Sequence, residues 1–209
     1  MSDILVISAH PSKGSFNTQI AQELTRAMQK EGFSVHLLSL IELDFDPILR
    51  SGFSGKQELE PDLLEARRLF ESAVHIVWVY PTWWGQWPAL LKGFIDRVFL
   101  PGWAFKNKGG ALPEGLLKGR SARIVSTMDS PWWWYRLAHG RAGHRSLENA
   151  TLNYVGIKDV TESTLYRTKE RSDEQRQRWL KKVCVEVIHD ARRALKKRSQ
   201  RKTSMLTSG

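Results

Sequence analysis

The sequence predicts a doubly wound α/β fold, a five-stranded parallel sheet of order 2-1-3-4-5 with helices on both faces. Three observations lead there. Short, continuous apolar runs such as Ile4-Leu5-Val6-Ile7 and His75-Ile76-Val77-Trp78-Val79 suit strands buried on both faces of a parallel sheet. These runs alternate with stretches whose apolar residues recur every three or four positions, the helical period. The third strand then leads into Tyr80-Pro81-Thr82-Trp83-Trp84-Gly85-Gln86-Trp87-Pro88, a turn carrying three Trp where exposure is the norm. Sheets of this class bind ligands at such strand-to-helix turns, so the turn predicts a flat, aromatic ligand.

The elements follow in order. Ile4 to Ile7 is the first strand. Phe16 to Glu31 is an amphipathic helix with apolar residues at 20, 21, 24, 27 and 28, and Gly32 ends it. Ser34 to Leu40 is the second strand, and residues 41–58 read as a long loop. Pro61 to Ser72 is a helix with Pro in its first turn. His75 to Tyr80 and Pro88 to Phe99 form the third strand and helix. The Gly- and Lys-rich stretch Pro101 to Lys118 reads as a connection or lid. Arg123 to Ser126 is the fourth strand, 128–143 a second long connection, and His144 to Val155 a helix ended by Gly156. Asp159 to Tyr166 is the fifth strand. Ser172 to Lys197 is the final helix, with Ser172 as its N-cap. Right-handed crossovers make the resulting sheet parallel.

The chain has 209 residues, 41% hydrophobic and 26% charged, which suits one globular domain over residues 1–197. Residues 198–209 read as a basic, flexible tail. Within 191–209 stand seven Lys and Arg and no acid, so most of the net charge of +10 sits there. Those cations complement the helix dipole, with a contact to an acidic membrane surface as the functional alternative. Met1-Ser2-Asp3 runs straight into a strand with no basic leader, and the single Cys184 reads as a packed thiol, so a cytoplasmic setting is expected. Scattered His and no Cys pair give no metal signature, and no G-x-S-x-G elbow marks a serine nucleophile.

Three loops at the carboxyl ends of strands 1, 3 and 4 carry the functional prediction. Ala9 to Asn17 offers hydroxyls, an amide and helix-opening N–H groups that suit an anion, although Ser15 or Asn17 could simply cap the helix. Neither a Walker nor a G-x-G-x-x-G pattern is present. The Trp turn offers aromatic faces beside backbone donors. Ser126-Thr127-Met128-Asp129-Ser130-Pro131-Trp132-Trp133-Trp134-Tyr135 brings a second aromatic cluster, which could wall a ring, form a lid or meet a second subunit.

The pieces A-H-P-x-x-x-S-F-N after strand 1 and P-T-W-W-G-x-W-P-A-x-L-K-G-F-I-D-R-V-F after strand 3 resemble the flavodoxin-like NAD(P)H:quinone oxidoreductases, a family that includes ancillary oxidoreductase subunits of potassium-efflux systems. Pro101-Gly102-Trp103-Ala104-Phe105 and Gly119 are similar too, and the resemblance spans residues 3–167. It implies FMN, or alternatively FAD, with NAD(P)H as reductant, a small electron acceptor, a homodimer and two-step hydride transfer. By position, His10, Ser15, Phe16 and Asn17 would hold the flavin's phosphate and ribityl region. Pro81, Thr82, Trp83, Trp84 and Gly85 would border its ring. Ser126, Thr127, Met128 and Asp129 would run along its edge, where the family commonly has a Thr/Ser-x-Gly-Gly turn. Tyr135, with His139 or His144, would correspond to a Tyr and His that assist hydride transfer.

The rival reading is a regulatory or interaction subunit on the same fold, which the missing Gly pair favours. A one-electron carrier lacks its T-x-T-G-x-T loop here. Nucleic-acid binding through the tail and the Trp clusters is not expected.

Overall fold

A computed structural model describes residues 3–53, 55–109 and 113–207. Five strands form the parallel sheet: β1 (Ile4–Ser8), β2 (Val35–Ser39), β3 (His75–Pro81), and, past a short antiparallel pair β4 (Phe105–Lys106) and β5 (Glu114–Gly115), β6 (Ser121–Thr127) and β7 (Asp159–Leu165). Their spatial order is β2-β1-β3-β6-β7, which is the expected 2-1-3-4-5 once the short pair is set aside. Register fixes the loop cluster: Ser8 pairs with Val79, and Pro81 pairs with Thr127. The strand order reverses between β1 and β3, so the chain leaves their carboxyl ends in opposite directions and opens a crevice there.

β1, β3 and β6 are buried along their whole length because successive side chains enter different cores. Leu5, Ile7, Ile76, Trp78 and Tyr80 pack against α2 (Pro61–Ser72), α3 (Ala89–Val98) and the segment 147–157. Ile4, Val6, Val77 and Val79 face α1 (Phe16–Lys30) and the last helix. That arrangement explains why these strands read as unbroken apolar runs.

The structure adds four features to the expected elements. The connection 101–118 contains the β4–β5 pair. A short helix, α4 (Trp132–Leu137), follows Pro131, where only a loop was expected. The expected helix from His144 to Val155 instead starts as α5 (Ala142–Arg145) and continues as a π-helix over Ser146–Leu152. Finally, α6 (Asp173–Thr207) does not stop at Lys197, so the expected flexible tail is helical through Thr207. Ser172 opens α6 with a reciprocal cap: its Oγ accepts from Gln175 N–H, and Gln175 Oε1 accepts from Ser172 N–H. No helix among the described residues is long and apolar enough to cross a membrane.

Candidate active site

The three loops do meet at the carboxyl ends of β1, β3 and β6. Thr82 N–H donates to the Thr127 carbonyl at 2.7 Å, and the Asn17 side-chain amide donates to Thr127 Oγ1 at 2.9 Å. His10 lies edge-on to Trp83, with ring centroids 5.4 Å apart.

In the first loop, Ser15 is the N-cap of α1, its Oγ accepting from Thr18 N–H at 3.1 Å. Asn17 turns inward as a strut to β6. Phe16 lies under the Arg176 guanidinium. Two elements could take an anion: the helix-opening N–H groups of Phe16 and Asn17, which donate to no backbone carbonyl among the described residues, and the His10 ring. His10 Nδ1 accepts from Ser12 N–H at 3.0 Å, and burial lowers the ring's pKa. The neutral ring therefore carries its proton on Nε2, where it can donate.

In the second loop, Trp83 and Gln86 exchange both backbone hydrogen bonds around Trp84 and Gly85, whose φ values are 53° and 74°. Two successive positive φ values define a type I′ turn; Gly85 adopts this readily, while Trp84 is a bulky residue in the left-handed region. Trp84 is 99% exposed, Trp83 is 44% exposed, and Trp87 turns into the core beneath them. The N–H groups of Trp84 and Gly85 donate to no backbone carbonyl among the described residues. The Thr82 hydroxyl is buried with no partner, which is costly unless a ligand satisfies it.

In the third loop, Ser126, Thr127 and Met128 are buried. Met128 N–H donates to the Leu165 carbonyl, and the Met128 carbonyl accepts from Thr168 N–H, both at 3.0 Å. Neither Met128 nor Asp129 has positive φ. The loop thus replaces the family's Gly pair with a bonded extension of β6 along the chain after β7. Lys169 Nζ lies 2.8 Å from Asp129, whose carboxylate also accepts from Lys169 N–H, so its charge is compensated.

Behind the Trp turn sits a buried Tyr–His pair. Tyr135 Oη lies 2.7 Å from His144 Nδ1 and accepts from His144 N–H at 3.1 Å. The Tyr135 hydroxyl therefore donates to Nδ1, placing the ring proton on Nε2, which faces Ser126 Oγ and Thr164 Oγ1 at 3.1 Å each. Burial pushes His144 down to about 4, with Glu162 opposing the shift, and pushes the Tyr135 phenol up. Glu162 is itself paired with Arg141. Gly143 spaces the pair from the turn; a Cβ there would come within 2.7 Å of the Gly85 carbonyl and 3.2 Å of Tyr135 Oη. His139 packs on Gly85 instead. Of the two candidate His, the geometry joins His144 to Tyr135 by hydrogen bonds, while His139 only stacks beside it. Thr164, Lys169, Arg141 and Glu162 complete the surroundings, and no local pattern in the sequence marked them.

These donors fit a ring with a polar edge and a phosphorylated tail. The orphaned Thr82 hydroxyl and the turn amides would meet the edge, Trp83 and Trp84 would flank the face, and the start of α1 with His10 would take the phosphate.

A family model described as a flavodoxin-like fold matches residues 2–185. An uncharacterized NAD(P)H oxidoreductase of Haemophilus influenzae is 33% identical over 166 residues, covering 75% of this chain and 79% of its own length. The chain belongs to the flavodoxin-like NAD(P)H:quinone oxidoreductase family. NAD(P)H dehydrogenase [quinone] 1 of Cavia porcellus, another relative, is 30% identical over 187 residues, covering 78% of this chain and 67% of its own. Among solved structures, Smu.1420 from Streptococcus mutans superposes with a TM-score of 0.76 at 30% identity, covering 89% of this chain and 98% of that one. An FMN-dependent NADH-azoreductase of Bacillus anthracis, solved with FMN, superposes with a TM-score of 0.70 over 91% of this chain and 98% of its own; at 22% identity it shows the shared fold alone.

Proposed function

We propose that this protein is an NAD(P)H-dependent flavoprotein that reduces quinones or similar electron acceptors by a ping-pong route, with FMN as its flavin. The observation that carries the reading is the buried Thr82 hydroxyl, which has no partner among the described residues, beside the free Trp84 and Gly85 amides of an exposed turn. A bound flavin would supply the two-electron redox chemistry between NAD(P)H and the acceptor.

The chain's own residues bind, orient and manage protons. His10 Nε2–H donates a hydrogen bond to the phosphate, and the positive end of the α1 dipole favours its charge. The Trp turn positions the ring, and its backbone donors need no reorganisation as charge builds on the polar edge. The Tyr135–His144 pair holds a proton at Tyr135 Oη, and neutral His144 is able to receive it. Lys169 keeps the Asp129 carboxylate from opposing negative charge nearby. Trp132, Trp133 and Trp134 are each about half exposed, and Leu137 is 79% exposed, an apolar patch beside the crevice that suits a homodimer contact.

Steady-state rates of the flavin-loaded protein, with NADPH and a benzoquinone both varied, should give parallel double-reciprocal lines. Intersecting lines would show that both substrates bind together and would overturn the ping-pong route.

A further inference from the structure

At the end of the sheet opposite the crevice, the turns 118–121 and 156–159 and one side of α6 enclose a cavity of about 320 Å³. Five cations line it, Lys118, Arg120, Lys158, Lys197 and Arg201, against one carboxylate, Asp159. Asp159 is already engaged by Lys197 at 2.7 Å and Arg193 at 3.0 Å, and Lys118 is paired with Glu114 at 2.6 Å. Arg198, close by, is paired with Asp3. Lys158, Arg201 and Arg120 have no carboxylate within ion-pair distance among the described residues. The nearby Glu71 instead accepts from Trp103 Nε1.

The cavity is built rather than a chance crowding of flexible side chains. Arg120 is held by the Phe70 and Glu71 carbonyls at 2.8 and 3.1 Å. Gly119 and Gly156 form its floor at φ values of 87° and 103°. Arg201 lies across Gly119, where a Cβ would approach its guanidinium to 2.7 Å. The N–H groups of Gly119, Arg120 and Lys158 donate to no backbone carbonyl among the described residues. Burial lowers the Arg120 pKa, with Glu71 opposing the shift and Arg198 adding to it. Lys197 and Arg201 lie beyond residue 185, where the family match ends, so the α6 side of the cavity falls outside the matched region.

We propose that this cavity binds the phosphate group of a polyanion, bidentate to Arg120 or Arg201 with Lys158 as a point charge. The same chemistry is offered by a free pyrophosphate-bearing molecule and by the phosphomonoester headgroup of a lipid. Calorimetric titration of the full chain with inorganic pyrophosphate tests the first source. Co-sedimentation with phosphatidylcholine vesicles, with and without phosphatidic acid, tests the second. Binding in either arm is expected to weaken about tenfold or more in the Lys158→Ala/Arg201→Ala variant. It should be nearly unchanged in Arg178→Ala/Lys181→Ala, which removes the same charge from exposed positions near the start of α6. Binding of pyrophosphate alone assigns a free ligand, and binding of acidic vesicles alone assigns a headgroup. No binding in either arm, or equal weakening in both variants, would overturn the proposal.

Discussion

Tyr135 is the residue whose partners are most fully specified. Replacing it with Phe leaves His144 Nδ1 and the His144 N–H without their shared oxygen, which should cost about 1–3 kcal/mol of stability. If the pair manages a proton for the reaction, Tyr135→Phe should also slow flavin reduction by NADPH while leaving flavin affinity intact; rapid-mixing absorbance and a flavin titration separate the two. Gly143→Ala makes the opposite prediction. A methyl 2.7 Å from the Gly85 carbonyl must displace the Trp turn, so flavin affinity should fall first. The histidines set a pH dependence. His75 and His144 are both held at about 4 by burial, below the ordinary 6.5. Depressed folded values mean that the unfolded chain takes up the extra protons. Stability is therefore complete above about pH 6.5 and is lost as pH falls toward about 4. Urea midpoints across that range should decline, and a flat profile would show that these rings are not buried neutral. Little of this was legible beforehand. Tyr135 could be singled out, but its choice of His144 over His139 depends on a reversal at Arg141, at φ 55°, that no local pattern announces.

At the scale of elements, the edge strand β7 is tied to the sheet by charge as well as by its ladder. Arg123 on β6 donates to Asp190 and Glu186 of α6, at 2.8 Å each, and also to Ser163 on β7. Arg123→Met strands the nearly buried Asp190 carboxylate and should cost about 3–5 kcal/mol, whereas Arg123→Met/Asp190→Leu should recover most of that loss. Denaturant unfolding of both variants checks it. The elements that could be read from the sequence are those whose burial imposes a period. β1 and β3 are apolar throughout because each side chain meets one of two cores, and α1 shows a clean stripe. The elements that could not be read lack such a period. β4 and β5 are two residues each. Trp132 to Leu137 presents three half-exposed Trp in a row, which hides its helix. The π-helix over Ser146–Leu152 looks like any helix from its composition. The extension of α6 past Lys197 has too few apolar residues to display a face, so its cations read as a frayed end.

For the whole molecule, the doubly wound sheet separates two charged surroundings. The crevice at the carboxyl ends carries helix-opening amides and Trp faces, while the opposite end carries the Arg120–Arg201 cavity. A ligand bound at one end leaves the other open. Loading the crevice should stabilise the fold by mass action: FMN at about 100 times its dissociation constant should add about 2.7 kcal/mol. Thermal unfolding with and without FMN reads this directly, and FAD in its place distinguishes the two flavins. That the three loops meet at one end of the sheet was legible from the alternation of strands and helices. The bonded Met128–Asp129 wall was not, because its partners Leu165, Thr168 and Lys169 come from a distant part of the chain. In the proposed function, one crevice takes electrons from NAD(P)H and then gives them to an acceptor. Anaerobic mixing of flavin-loaded protein with NADPH, followed in a second mixing step by a benzoquinone, tests it most directly. NADPH alone is expected to bleach the flavin absorbance, and quinone alone to restore it. Flavin that stays oxidised with NADPH, or that recovers only while NADPH remains present, would contradict it.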